Sequence, residues 1–180
     1  RPVRKPLVIM SPKSLLRHRL AVSTREDLTG NGYQLLIDDI DGADPTKVTR
    51  LVLCSGKVFY DLLEKRREQQ LEHIAIVRVE QTYPFPEDEI RESLARYSNA
   101  KDIVWAQEEP RNQGTWFFML SRRHLAGCID PSKHRLTYAG REYSASPAAG
   151  YLNVHIEQQR ALVSSALGLD EIEAQKQRSA

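Results

Sequence analysis

Short, unbroken apolar runs alternate along this chain with longer stretches in which apolar residues return every three or four positions. That alternation predicts an α/β fold, a mostly parallel sheet of five to six strands with helices on both faces. The runs "PLVIM" (6–10), "RLVLCS" (50–55), "IAIVRVE" (74–80), "DIVWAQ" (102–107) and "RLTYAG" (135–140) are rich in branched and aromatic residues. Each is expected to be a strand, and "YQLLI" (33–37) is a weaker sixth. In "KVFYDLLEKRREQQLE", Val58, Phe59, Leu62 and Leu63 fall on one helical stripe, which leaves Lys65, Arg66 and Arg67 as a solvated basic face. "FPEDEIRESLARY" predicts a second helix, with Pro86 in its first turn, acids near its positive dipole end, and Ile90, Leu94 and Tyr97 at core spacing. Further helices are expected over 115–125 and 153–167, the latter capped by Asn153 with Ile156, Val163 and Leu167 on one face.

Composition narrows the class. A chain of 180 residues, 41% of them hydrophobic, accommodates one ordinary domain with a core, and residues 1–168 read as that domain with 169–180 as a flexible tail. Lys and Arg total 26 against 24 Asp and Glu, so no charge excess points to nucleic acid. No apolar run approaches the ~20 residues that span a bilayer, and "RPVRKPLVIM" lacks a signal-type stretch, so no membrane partner is expected. Cys54 and Cys128 fit no metal spacing and no disulfide framework, which suits a reducing, cytoplasmic setting. Residue 1 is Arg and the first apolar run follows within a few residues, the expectation for a segment of something longer.

The chain carries no Gly-x-Gly-x-x-Gly, phosphate loop, nucleophile elbow or His-Glu-x-x-His, and its five histidines are scattered as surface or capping residues. Two stretches remain. In "AQEEPRNQGTW", Glu108 and Glu109 stand at the end of a strand, where ligands of parallel sheets gather, followed by Asn112, Gly114 and Trp116. They are either an acid/base pair or structural carboxylates accepting backbone N–H groups or meeting a partner's arginine; the structural reading is preferred. In "SPKSLLRHR", Ser11 and Pro12 open a helix whose N–H groups stand beside Lys13 and, one turn on, Arg17. This is a candidate phosphate site or a solvated basic corner.

The stretches "RPVRKPLVIMSPKSLLRH", "SGKVFYDL", "IAIVRVEQTYPFP", "VWAQEEPRNQGTW" and "YAGREYSASPAAGY", with the "VH" after them, closely resemble in order the C-terminal region of the thiamine-diphosphate-dependent first component of the 2-oxoglutarate dehydrogenase complex, bacterial type. The resemblance covers residues 1 to about 168 and implies a transketolase C-terminal-like fold. It further implies a tricarboxylic acid cycle enzyme that decarboxylates 2-oxoglutarate on thiamine diphosphate with Mg²⁺ as a homodimer. The succinyl group then passes to the lipoyl-bearing succinyltransferase, which works with a dihydrolipoyl dehydrogenase. The family's Gly-Asp-Gly cofactor motif is absent here, so no cofactor, metal or catalytic residue is expected in this segment, which would complete the fold and dimer. Some relatives carry an acetyl-CoA regulatory site, to which Lys13, Ser14 and Arg17 are assigned by their chemistry. A 2-oxoadipate-type paralogue is the alternative substrate reading.

Overall fold

A computed structural model describes residues 4–9, 11–30 and 32–170. The chain divides into two compact units, residues 1–32 and 33–180.

The first unit contains little regular structure. The expected first strand is not formed: residues 4–9 lie outside any element, and Leu7, Val8 and Ile9 are 82%, 81% and 70% exposed. Met10, the last residue of that run, lies outside the described residues. The helix expected at Ser11 is a single 3-10 turn, Lys13–Arg17, preceded by Pro12 and lacking any side-chain cap. A short helix α1, Arg25–Thr29, follows. Its capping box, Thr24 with Asp27, closes both ways: Asp27 N–H donates to Thr24 Oγ1 at 3.1 Å and Thr24 N–H donates to the Asp27 carboxylate at 2.9 Å.

The second unit holds the sheet. Its strands are β1 (Leu36–Ile37), β2 (Arg50–Cys54), β3 (Ile74–Val79), β4 (Asp102–Pro110) and β5 (Arg135–Arg141). They lie in the order β1-β3-β2-β4-β5, all parallel except β1, which runs against β3. The helices are α2 (Val58–Glu68), α3 (Glu87–Arg96), α4 (Trp116–Met119), α5 (Leu125–Cys128) and α6 (Leu152–Leu167). Successive strand residues face opposite sides, which explains the unbroken apolar runs. Leu51, Leu53, Ala75, Val77, Ile103 and Trp105 form one core with Ile90 and Leu94 of α3, Trp116 and Met119 of α4, and Leu125 of α5. Val52, Ile74, Ile76 and Val104 alternate with them on the face where α2 and α6 pack.

Three helical expectations need correction. The helix expected over 115–125 is broken into α4 and α5. Met119 and Leu125 both enter the same core, yet six residues on a continuous helix would set them about 120° apart, so the chain must turn between them. Helix α6 starts at Leu152 with Tyr151 as its cap, which places Asn153 inside the first turn. Its buried stripe is Leu162, Val163, Ala166 and Leu167, whereas Ile156 stays 40% exposed. Of the expected tail, Leu169 and Asp170 are described, and 171–180 lie outside the described residues.

The solvated basic face is also corrected at its centre. The Arg66 side chain is only 6% exposed and pairs with Asp39 and Asp41, and it donates to the Ile74 carbonyl at 3.2 Å. Asp39, 1% exposed, also accepts the Ile76 N–H at 2.8 Å. Arg67 donates to Asp41 at 2.9 Å, holding that carboxyl below its ordinary range, and Arg96 and the Tyr97 hydroxyl take Asp38. The run Asp38, Asp39, Asp41 thus ties the β1–β2 connection to α2, α3 and β3.

Candidate functional site

The carboxyl ends of β4 and β5 are densely hydrogen-bonded. Ala106 pairs with Ala139 and Pro110 with Arg141, so Gln107, Glu108 and Glu109 on β4 face Gly140 alone on β5. This bulge re-aims the side chains at the strand end. Gly140 is required: a Cβ there would meet the Tyr138 hydroxyl at 2.2 Å and the Gln107 carbonyl at 2.8 Å.

Gln107 holds the bulge and is a residue whose role the sequence reading missed. Its side chain is buried, and its Oε1 accepts the Trp105 indole N–H at 3.0 Å and the Thr115 N–H at 3.2 Å. Its Nε2 donates to the carbonyls of Gln113 at 2.8 Å, Glu109 at 3.2 Å and Pro110 at 3.3 Å. One amide therefore fixes strand, bulge, turn and the start of α4. A single Gln at the end of an apolar strand was its only sequence signal.

The candidates from the sequence fall around this hub. Gly114 takes φ +64° in the turn, with a Cβ position 2.8 Å from Gln107 Nε2. Asn112 and Ser144 bond reciprocally, at 2.9 Å through Nδ2 and 3.0 Å through Oδ1, which ties the turn to the segment after β5. Trp116 is buried against Tyr138, with ring centroids 5.2 Å apart, and the Arg111 guanidinium lies 5.2 Å from the Tyr138 ring centre. The Tyr138 hydroxyl donates to the Arg141 and Glu109 carbonyls, and burial pushes its pKa up to about 12.

Glu108 and Glu109 do not form one site. Glu108 meets Lys57 Nζ at 2.8 Å and accepts from Gln159 Nε2 at 3.0 Å, so its partners are side chains of the α2 cap and of α6, not the expected backbone N–H groups. Asp61 completes the group, 3.4 Å from Lys57 and 2.6 Å from Gln159. Burial lowers the Lys57 pKa, but Glu108 and Asp61 outweigh it and leave the ammonium above its ordinary range. A carboxylate held by a cation and an amide is poorly placed to move protons. The Glu109 side chain is exposed beside it. Lys13, Ser14 and Arg17, in the first unit, are all exposed on the 3-10 turn.

The profile of the 2-oxoglutarate dehydrogenase C-terminal family matches residues 22–167. The chain belongs to that family. It is similar to the 2-oxoglutarate dehydrogenase E1 components of Azotobacter vinelandii (54% identical over 92% of this chain), Coxiella burnetii (52% over 93%) and Haemophilus influenzae (49% over 93%). It spans 18% of the length of each of these relatives. As a 2-oxoglutarate dehydrogenase C-terminal domain, it has the expected α/β fold, a mostly parallel five-stranded sheet with helices. No helix among the described residues is long and apolar enough to cross a membrane.

Among the described residues no group of three or more His, Cys, Asp or Glu is arranged to hold a metal ion. The acids that do cluster, Asp38, Asp39 and Asp41, are occupied by Arg96, Arg66 and Arg67. At the carboxyl edge, Glu108 is likewise held by Lys57.

Proposed function

We propose that this chain is the C-terminal domain of an enzyme that decarboxylates 2-oxoglutarate and transfers the succinyl group to lipoamide, with the reactive centre built by the sequence that precedes this domain in the longer relatives. The observation that carries the reading is the family match to a chain whose similar proteins are E1 components more than five times its length. Thiamine diphosphate and Mg²⁺ would be held by those preceding segments, and this segment alone neither binds them nor turns over substrate. Its part is to complete the fold and support a homodimer in the cytoplasm. There it works with the lipoyl-bearing succinyltransferase and the dihydrolipoyl dehydrogenase, with residues 1–168 acting as one domain and 169–180 as a tail. Glu109, Asn112, Gly114 and Trp116 belong to a structural and interface role in this reading, supported by the bonding of their neighbourhood through Gln107.

The test is turnover. Full-length enzyme should consume 2-oxoglutarate in preference to 2-oxoadipate, and residues 1–180 alone should consume neither. Cofactor-dependent decarboxylation by the short chain would overturn the division of labour. Preference for 2-oxoadipate would reassign the substrate. In the full-length enzyme Glu109→Gln should weaken the dimer before it slows the chemistry; a stable dimer without turnover would refute the interface role.

Effector binding by Lys13, Ser14 and Arg17 is supported by their shared exposure on one turn with two cations and a hydroxyl. Titration of the full-length enzyme with acetyl-CoA should show binding that Lys13→Ala and Arg17→Ala reduce. No binding, or unchanged binding in both variants, removes the assignment.

A further inference from the structure

Helices α2 and α6 follow the parallel strands β2 and β5, so they run the same way, and a groove of about 520 Å³ lies between them. Glu64, Lys65 and Glu68 line it on α2, and Val163 and Ser164 on α6. Lys65 bridges Glu68 at 2.9 Å. At the far end Gly168, with φ +63°, closes α6 in the left-handed conformation and turns the chain back. Leu169 then lines the groove itself, and Asp170 accepts the Ser164 hydroxyl at 2.7 Å. The next stretch, "EIEAQKQRSA" (171–180), therefore sets out from the groove's own wall. It contains neither Gly nor Pro and consists mostly of strong helix formers. On a helix begun at Leu169, Ile172 and Lys176 fall on the same side as Leu169, while Glu171 and Arg178 face away. The family profile ends at residue 167, so this stretch lies beyond the shared domain.

We propose that the groove between α2 and α6 is the docking surface for residues 171–180 of the same chain, which fold back into it as a helix with Ile172 over Val163 and Lys176 beside Glu64. Two features select this occupant. The chain enters the groove at Leu169 and, running back against α6, passes Glu68 before Glu64; seven residues of helix rise about 10 Å, enough to carry Lys176 to the second acid. The side it presents, apolar at Ile172 and cationic at Lys176, complements a wall that is apolar at Val163 and acidic along α2. A helix of a dozen residues is marginal in water, so the groove supplies the packing that orders it. The inference rests on this groove and the sequence that leaves it, and is independent of the enzyme's activity.

Hydrogen exchange of the full-length protein, read on peptides covering residues 172–180, tests this. Protection of about tenfold or more over the unstructured rate, unchanged on dilution, is expected. Ile172→Asp and, separately, Lys176→Glu should each lower that protection by about threefold or more. Adding Glu64→Lys to Lys176→Glu should restore it, since the pair is then reversed and not removed. Exchange at the unstructured rate in the unaltered protein, or protection that neither single variant lowers, would overturn the proposal. Protection lost on dilution would seat the segment on a second copy, and a double variant no better protected than Lys176→Glu alone would place Lys176 away from Glu64; either result overturns it as well.

Discussion

Arg66 and Gln107 each do at one position what a surface residue of the same type does not, because both are buried and hydrogen-bonded to groups of several elements. Arg66→Ala leaves Asp39 charged, buried and unpaired, and is expected to cost about 3–5 kcal/mol in urea unfolding. Gln107→Ala strands the Trp105 and Thr115 N–H donors and is expected to cost about 1–3 kcal/mol for each one left unsatisfied, with a shift in tryptophan emission from Trp105 and Trp116. Neither role was legible in the sequence. Helical spacing placed Arg66 correctly on α2, but its burial depends on Asp39 and Asp41, more than twenty residues earlier and in no periodic relation to it. Gln107 closes an apolar run and looks like any strand end. What identifies it is the two-residue bulge, a feature of pairing between β4 and β5 that neither run encodes alone.

Elements with long, uniform patterns were read well, and those whose limits are set by neighbours were not. The strands β2, β3, β4 and β5 and the helices α2, α3 and α6 follow from apolar spacing, because their buried faces lie within single stretches. The break between α4 and α5 and the start of α6 depend on what lies opposite. Arg50, at the start of β2, donates to the Ser165 and Ala166 carbonyls at the end of α6, 3.4 Å each, and Asp102 lies 3.5 Å from it. Arg50→Met should lower the melting temperature and loosen the last turn of α6 first, as read by hydrogen exchange of residues 160–167. The group joining α2, β4 and α6 has a definite pH signature. Lys57 of that group and Tyr138 of β5, outside it, both titrate higher in the fold than in the unfolded chain. Their contribution is complete below the unfolded values, near pH 10, and falls as pH rises through the folded ones. Unfolding free energy should therefore decline above about pH 10, and Glu108→Gln should flatten the part due to Lys57.

At the scale of the molecule, the two thiols report on how completely the sheet is covered. Cys54 is wholly buried and its pKa is pushed up to about 12 by burial, and burial likewise raises half-buried Cys128. Iodoacetamide at pH 8 should leave native Cys54 unmodified and label Cys128 slowly, with both reacting fully in urea. Labelling of Cys54 at the unfolded rate in native protein would show that β2 is open. The expected first strand, which is not formed, belongs to this scale too. Apolar composition alone does not supply the neighbours a strand pairs with, and the run stands outside the family's own domain. The Asp39–Arg66 pair has a consequence at this scale as well. Beyond the two residues of β1, the outward amide of Ile76 and the outward carbonyl of Ile74 would be left as open docking positions, and the carboxylate takes the first while the guanidinium takes the second. The ion pair thus acts as a counterfeit strand, ending the sheet with charge where a neighbouring molecule would otherwise add on. Replacing both residues with leucine should leave a chain that folds yet gathers into concentration-dependent aggregates, a loss that light scattering would register and a melting curve would miss.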